Sequence, residues 1–189
     1  MTVEKILDAA TAILVDRGLR GFNTNAVAEE AGINVATLYH YFPDKVAILA
    51  ELFSRDQSRR TEFITAKMDE LPLVDNLDDW VSSLVHRIVD VRRLVPATAV
   101  LRQACRTVPE IVELEEADNN ALVSHFSRVL RLRFPTLAPT RSRHCARALI
   151  ETGATLLDRV SLDEESSLGM IGETINMLSG YLDRLNTSI

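Results

Sequence analysis

The 189-residue chain has only two cysteines, Cys105 and Cys145, and neither stands in a CxxC pair. Two thiols cannot make a disulfide framework, so a reducing cytoplasm is the expected setting. Glycine (7) and proline (6) are also scarce. A β-sandwich or barrel needs many turns, so the scarcity points to helices. No apolar run approaches the roughly 20 residues that span a bilayer. The N-terminal MTVEKILDAA lacks the charged and then apolar layout of a secretory signal. The low hydrophobicity and high net charge of a disordered chain are missing too, since 47% of residues are hydrophobic and 25% charged.

Catalytic and metal patterns are equally absent. The four histidines, His40, His86, His125 and His144, include no i, i+4 pair and no HExxH. His144 and Cys145 are neighbours, which sends them to different faces of a helix. No Ser-His-Asp set, phosphate-cradling glycine loop or convergent carboxylate pair stands out. No metal, no cofactor and no enzymatic activity are therefore expected. Positive charge is short as well: 21 Lys/Arg stand against 27 Asp/Glu, a net charge of −6. By itself that argues against a nucleic-acid partner. Only the face that meets phosphate must be positive, however, so motif geometry decides the question.

What is present is helical periodicity almost throughout, with no internal repeat and no Gly/Ser linker. Val3–Asp16 carries Ile6, Leu7, Ala10, Ile13 and Leu14 on one stripe. Thr2 suits its start, and Gly18 its left-handed C-terminal turn. Thr24 is the expected N-cap of a short helix from about Asn25 to Ala31, and Asn34 caps another from Val35 to about Tyr41. Pro43 fits the first turn of the next helix, with Asp44 against its dipole. That helix runs to about Met68. Longer helices follow at about Asp78–Val91, Pro96–Arg106, Pro109–Arg133, Pro139–Val160 and Ser166–Asn186. The fold class is all-α, with about nine helices.

Two short helices joined by Ala31-Gly32-Ile33-Asn34 make a helix-turn-helix, about residues 23–42. In such motifs the second helix enters the major groove N-terminal end first. It would present Val35, Ala36, Thr37, Tyr39 and His40. Thr37 can hydrogen-bond a base or meet a thymine methyl. Tyr39, His40, Tyr41 and Lys45 can reach phosphates, while Thr24, Asn25 and Asn34 offer donors at the helix starts. Most of these donors are neutral, so local contact needs no basic domain.

Residues 6–53 resemble the N-terminal domain of the TetR/AcrR family of bacterial transcriptional regulators. The matching segments are Ile6–Ala10, Arg17-Gly18, Gly21-Phe22, Thr24–Ala28, Ala31–Ile33 and Thr37–Phe42 with Lys45, and AGINVATLYHYFPDK is the most specific string. Asn34 and Ala36 stand where Ser and Gly are common in the family, and the basic N-terminal arm of some members is missing. The resemblance implies a DNA-binding domain at 1–48 and a helical ligand-binding and dimerisation domain at 49–189. It implies a homodimer on a palindromic operator of double-stranded DNA, usually a repressor, released by a small-molecule effector.

The last helix places Leu168, Ile171, Ile175, Leu178, Leu182 and Leu185 at alternating spacings of 3 and 4. The preceding one offers Cys145, Leu149, Gly153 and Leu156. Together they form either a four-helix dimer interface or ordinary core of one chain. By analogy with the family, the effector pocket falls among the helices of residues 75–130. Trp80, Leu84, Ile88, Leu101, Cys105 and Phe126 are its candidate apolar lining, with His86, Arg87, Arg102 or His125 as polar anchors. Two other readings use the same residues. One is a regulator that answers to a protein partner or to oxidation of Cys105, whose neighbours Arg102 and Arg106 would favour a thiolate. The other is a helical binding module without an operator.

Overall fold

The computed structural model describes residues 2–94, 101, 107–158, 160 and 164–187. Those residues form eight α-helices: α1 Thr2–Gly21, α2 Thr24–Glu30, α3 Val35–Tyr41, α4 Lys45–Glu70, α5 Leu77–Leu94, α6 Pro109–Arg133, α7 Pro139–Leu157 and α8 Glu164–Thr187. One 3-10 turn, Leu71–Leu73, follows α4. No strand occurs among the described residues. The expected helix at 96–106 lies outside them, apart from Leu101. Among the described residues, no helix is long and apolar enough to cross a membrane.

The chain forms two compact units. The first comprises Met1–Arg59 with Val95–Ala117, and the second Arg60–Leu94 with Asp118–Ile189. In the first unit the stripe of α1 is buried as the periodicity requires, with Ile6, Ala10 and Leu14 each 0% exposed. The helical run of α1 is interrupted at Gly18 (φ 60°, ψ −171°), a conformation essentially restricted to glycine. Phe22, Val27, Leu38, Ile48, Phe53, Leu101 and Ile111 complete the core of this unit. Leu101 is thus a core residue of the first unit, not a lining residue of a ligand pocket as the sequence suggested.

The second unit buries faces of α5–α8 and the last turns of α4. Asn76 caps α5 by accepting from the backbone N–H groups of Asp78 and Asp79. The Trp80 indole donates to the Lys67 carbonyl at 3.0 Å, which ties α5 to α4. Ile171, Leu182 and Leu185 are buried in this unit's core, and Ile175 and Leu178 pack against it. The seam of α8 is therefore mostly intrachain core rather than the dimer surface that its spacing also allowed. A coiled-coil pattern and a core-facing stripe look alike in sequence, and here the helices of the same unit fill the seam.

Candidate nucleic-acid interface

The helix-turn-helix is built from its caps inward. The N-cap of α2 is Asn23, whose side chain accepts from the Ala26 N–H at 2.9 Å. Thr24, expected in that role, is instead the first helical residue. The caps differ by one position because Asn23 holds the extended backbone (φ −150°, ψ 159°) that a cap needs. At the other end Gly32 sits at φ +64°. Its N–H donates to the Glu29 carbonyl and that of Ile33 to the Ala28 carbonyl, both at 3.0 Å. This pair of bonds is a Schellman motif, and half-buried Ile33 packs under it. Asn34 then caps α3 as expected, accepting from the Ala36 N–H at 2.8 Å.

Helix α3 is anchored by one fully buried side chain, Leu38, at 0% exposure. The helical repeat sends Ala36 and His40 away from Leu38, with Thr37 and Tyr39 on the flanks. All four are exposed, Tyr39 by 49%. Val35 packs partly against the core, and exposed Tyr41 meets the His40 ring edge-on at 5.3 Å. The hydroxyls of Tyr39 and Thr24 lie 3.0 Å apart, which holds the Tyr39 side chain at the start of α2. Asn25 is exposed beside Thr24. Pro43 precedes the next helix rather than entering it, because Asp44 takes the cap position and accepts from the Ala47 N–H at 2.8 Å. Lys45 is therefore the first residue of α4 and is exposed. Behind this surface Arg55 bridges α1 and α4, 2.8 Å from both Glu4 and Glu51. Sequence reasoning missed Asn23 and this bridge. The Glu51–Arg55 spacing of four was its one readable sign.

The other candidates divide. Trp80, Leu84, Ile88 and Phe126 line one cavity inside the second unit, together with Leu149, Gly153, Leu178 and Leu182. The last four, assigned from sequence to a dimer surface, thus face inward. Three of the proposed polar anchors, His86, Arg87 and His125, are not among its lining residues. His86 bonds the Ser82 carbonyl of its own helix, Arg87 lies over the Phe63 ring, and His125 pairs with Asp69 at 2.8 Å. Arg60, Arg92 and Asn119 line it instead. Continuing the rows 80-84-88 and 64-68 by one step of four would have found the two arginines. Arg102 and Cys105 lie outside the described residues. Leu168, Met177 and Tyr181 are exposed on α8, and Leu156 is half-buried on α7. Tyr181 donates to the buried Cys145 sulfur at 3.2 Å; that bond and then desolvation raise the phenol's pKa above its ordinary value. Among the described residues no cluster of His, Cys, Asp or Glu could hold a metal ion.

A rigid helix pair with an outward-facing second helix, joined to a separate helical unit with its own cavity, defines a helix-turn-helix transcriptional regulator. Comparisons with known proteins agree. Residues 6–52 match the model for "Bacterial regulatory proteins, tetR family", and residues 76–182 match "Tetracyclin repressor-like, C-terminal domain". The chain belongs to the TetR family of DNA-binding transcriptional regulators. It is 25% identical to the transcriptional regulator UidR of Escherichia coli K12 over 168 residues, covering 77% of this chain and 85% of UidR. It is 41% identical over 70 residues to the transcriptional repressor KstR of Mycolicibacterium smegmatis, covering 37% of this chain and 32% of KstR. A solved transcriptional regulator from Pseudomonas aeruginosa PAO1 shares the fold with a TM-score of 0.76 at 16% identity, covering 98% of this chain and 90% of that one.

Proposed function

We propose that this regulator is a repressor that binds a palindromic operator as a homodimer and leaves it when a small molecule enters the second unit. The observation that carries the reading is the exposed surface of α3, held by one buried leucine and a capped turn at each end. The sequence match to a relative named as a repressor supports the sign of regulation. Residues 1–48 supply DNA binding, and 49–189 dimerisation and effector binding.

In this reading Thr37, with Val35 and Ala36, reads base edges. Tyr39, His40, Tyr41 and Lys45 hold one phosphate backbone, while Thr24, Asn25 and Asn34 contribute donors from the helix starts. The Thr24 hydroxyl presets the Tyr39 phenol before DNA arrives, which lowers the ordering cost of binding. The dimer surface is the outer face of α7 and α8, with Leu156, Leu168, Met177 and Tyr181, since the inner seam is occupied. A two-fold axis there spaces the two recognition helices about 34–36 Å apart, or a multiple of it. Helix α4 carries both Lys45 and the cavity residues Arg60, Ile64 and Met68, so a change in the cavity acts on a helix that also holds DNA.

The test is selection from a random duplex pool with wild type and Tyr39→Ala, followed by the mass of the complex. The expected result is a palindrome bound by two chains and lost in the variant. Tyr39→Ala and Lys45→Ala should weaken binding to all sequences, whereas Thr37→Ala should alter preference at one operator position. Failure of well-folded protein to enrich any sequence at low salt would favour a helical module without an operator.

A further inference from the structure

The cavity of the second unit is walled by apolar side chains from five helices, among them Ile64 on α4, Leu84 and Ile88 on α5, Phe126 on α6, Leu149 on α7 and Leu182 on α8. Trp80 lines it too, and its one polar group is already engaged, because the indole N–H donates to the Lys67 carbonyl at 3.0 Å. Among the described residues no carboxylate lines the space. The cavity measures about 100 Å³. An apolar cavity of about 150 Å³ stays dry and takes a benzene ring, so this one suits a compact body of about five or six carbons.

Three polar side chains complete the lining, Arg60, Arg92 and Asn119. Neither arginine is short of a partner. Arg92 pairs with Asp158 at 3.3 Å, with the two side chains only 17% and 19% exposed, and Arg60 has an interaction of its own. A carboxylate ligand would compete with Asp158 for Arg92, and would give up its water for a charge that Asp158 already balances. An ammonium ligand would give up its water too, and no carboxylate of the described lining would receive it. Asn119 is neutral, and its amide can donate to or accept from an alcohol or a carbonyl.

We propose that the cavity binds a compact uncharged molecule, an apolar body of about five or six carbons carrying at most one hydroxyl or carbonyl group for Asn119. This rests on the reading of the second unit as the effector-binding part. The gain on binding comes from apolar surface leaving water and from dispersion contacts that the cavity walls otherwise lack. Selectivity follows from the charge balance of the lining, which rewards neither an anion nor a cation for its lost hydration.

Trp80 is the only tryptophan in the chain and lines the cavity, so its fluorescence reports occupancy. The experiment titrates the full chain at neutral pH with cyclohexanol, cyclohexanecarboxylate and cyclohexylamine, which share a ring and differ in charge. Cyclohexanol should bind at least about tenfold more tightly than either ion. Gly153→Ala puts a methyl group into the lining and should weaken cyclohexanol binding by about threefold or more. Leu84→Ala, checked for folding by circular dichroism, enlarges the space and should shift preference from cyclohexanol toward cyclooctanol. Gly153→Ala carries the test if Leu84→Ala fails to fold. Either ion binding as tightly as cyclohexanol would overturn the uncharged assignment while leaving the cavity a ligand site. Unchanged cyclohexanol affinity in Gly153→Ala would put the binding outside the cavity and overturn the proposal. No response of Trp80 to any of the three would overturn the effector-binding reading itself.

Discussion

The two units are cored by the same kinds of side chain, yet one sets a buried cluster behind a short helix and the other arranges its side chains around a cavity. In the first, Ile6, Leu14, Val27, Leu38, Ile48 and Ile111 are each 0% exposed and form one continuous cluster. In the second, Trp80, Leu84, Ile88, Phe126, Leu149 and Leu182 stand around a cavity of about 100 Å³. Close packing is the ordinary state of an interior, and a void forfeits the dispersion contacts its lining would have made. Under the proposed function the difference follows a division of labour. A short helix that meets DNA in one orientation is served by buried side chains behind it, and a unit that responds to a ligand by space that the ligand can fill.

The sharpest way to break this comparison is a pair of matched truncations. Leu38→Ala removes the sole fully buried anchor of α3 and should cost about 3–5 kcal/mol. Leu84→Ala enlarges a space that already exists around a half-buried side chain, and should cost about 1–2 kcal/mol. Denaturant unfolding of both variants measures the gap. Equal losses would mean that the second core is packed as tightly as the first.

Gly32→Ala gives the next largest effect and isolates the backbone. A methyl group there would meet nothing within 4 Å, so no steric contact is at stake. The cost is that of placing an L-residue at φ +64°, about 1–2 kcal/mol. Thermal unfolding should show that loss, and operator affinity should fall with it because the turn sets the angle of α3. A variant as stable as wild type would show that the turn relaxes freely.

Much of the first unit was legible in sequence because its signals are local. The α1 stripe, Gly18, Gly32 and the Asn34 cap each act within a few residues, and each stands where the pattern placed it. The cap of α2 was misread by one residue, since Asn and Thr are both good caps and only the backbone angle of Asn23 separates them. The second unit was legible as helices but not as faces. The 3-4 spacing of α8 fits a dimer seam and a core stripe equally, and tertiary packing decided for the core at Ile171 and Leu182. Leu101 was misassigned for the same reason. It has the right chemistry for a pocket, but it lies in the core of the other unit. The polar residues of the cavity lining, Arg60, Arg92 and Asn119, were overlooked because arginines on an apolar row read as solvated.

The smallest effect, and the one that most directly probes the cavity, is expected at Gly153. This glycine is buried on α7, lines the cavity, and has ordinary helical backbone. A methyl group there would lie 3.6 Å from the Leu178 Cδ1, an ordinary van der Waals contact. Gly153→Ala therefore adds a favourable contact, fills part of the cavity, and replaces the weaker helix former. It should raise stability by about 0.5–1 kcal/mol, read from the denaturation midpoint at unchanged slope. In a filled core the same insertion would crowd its neighbours and destabilise. The sign of the change thus tests the cavity independently of any ligand. The same methyl group should weaken binding of whatever occupies the cavity, so the variant should be more stable and less responsive at once.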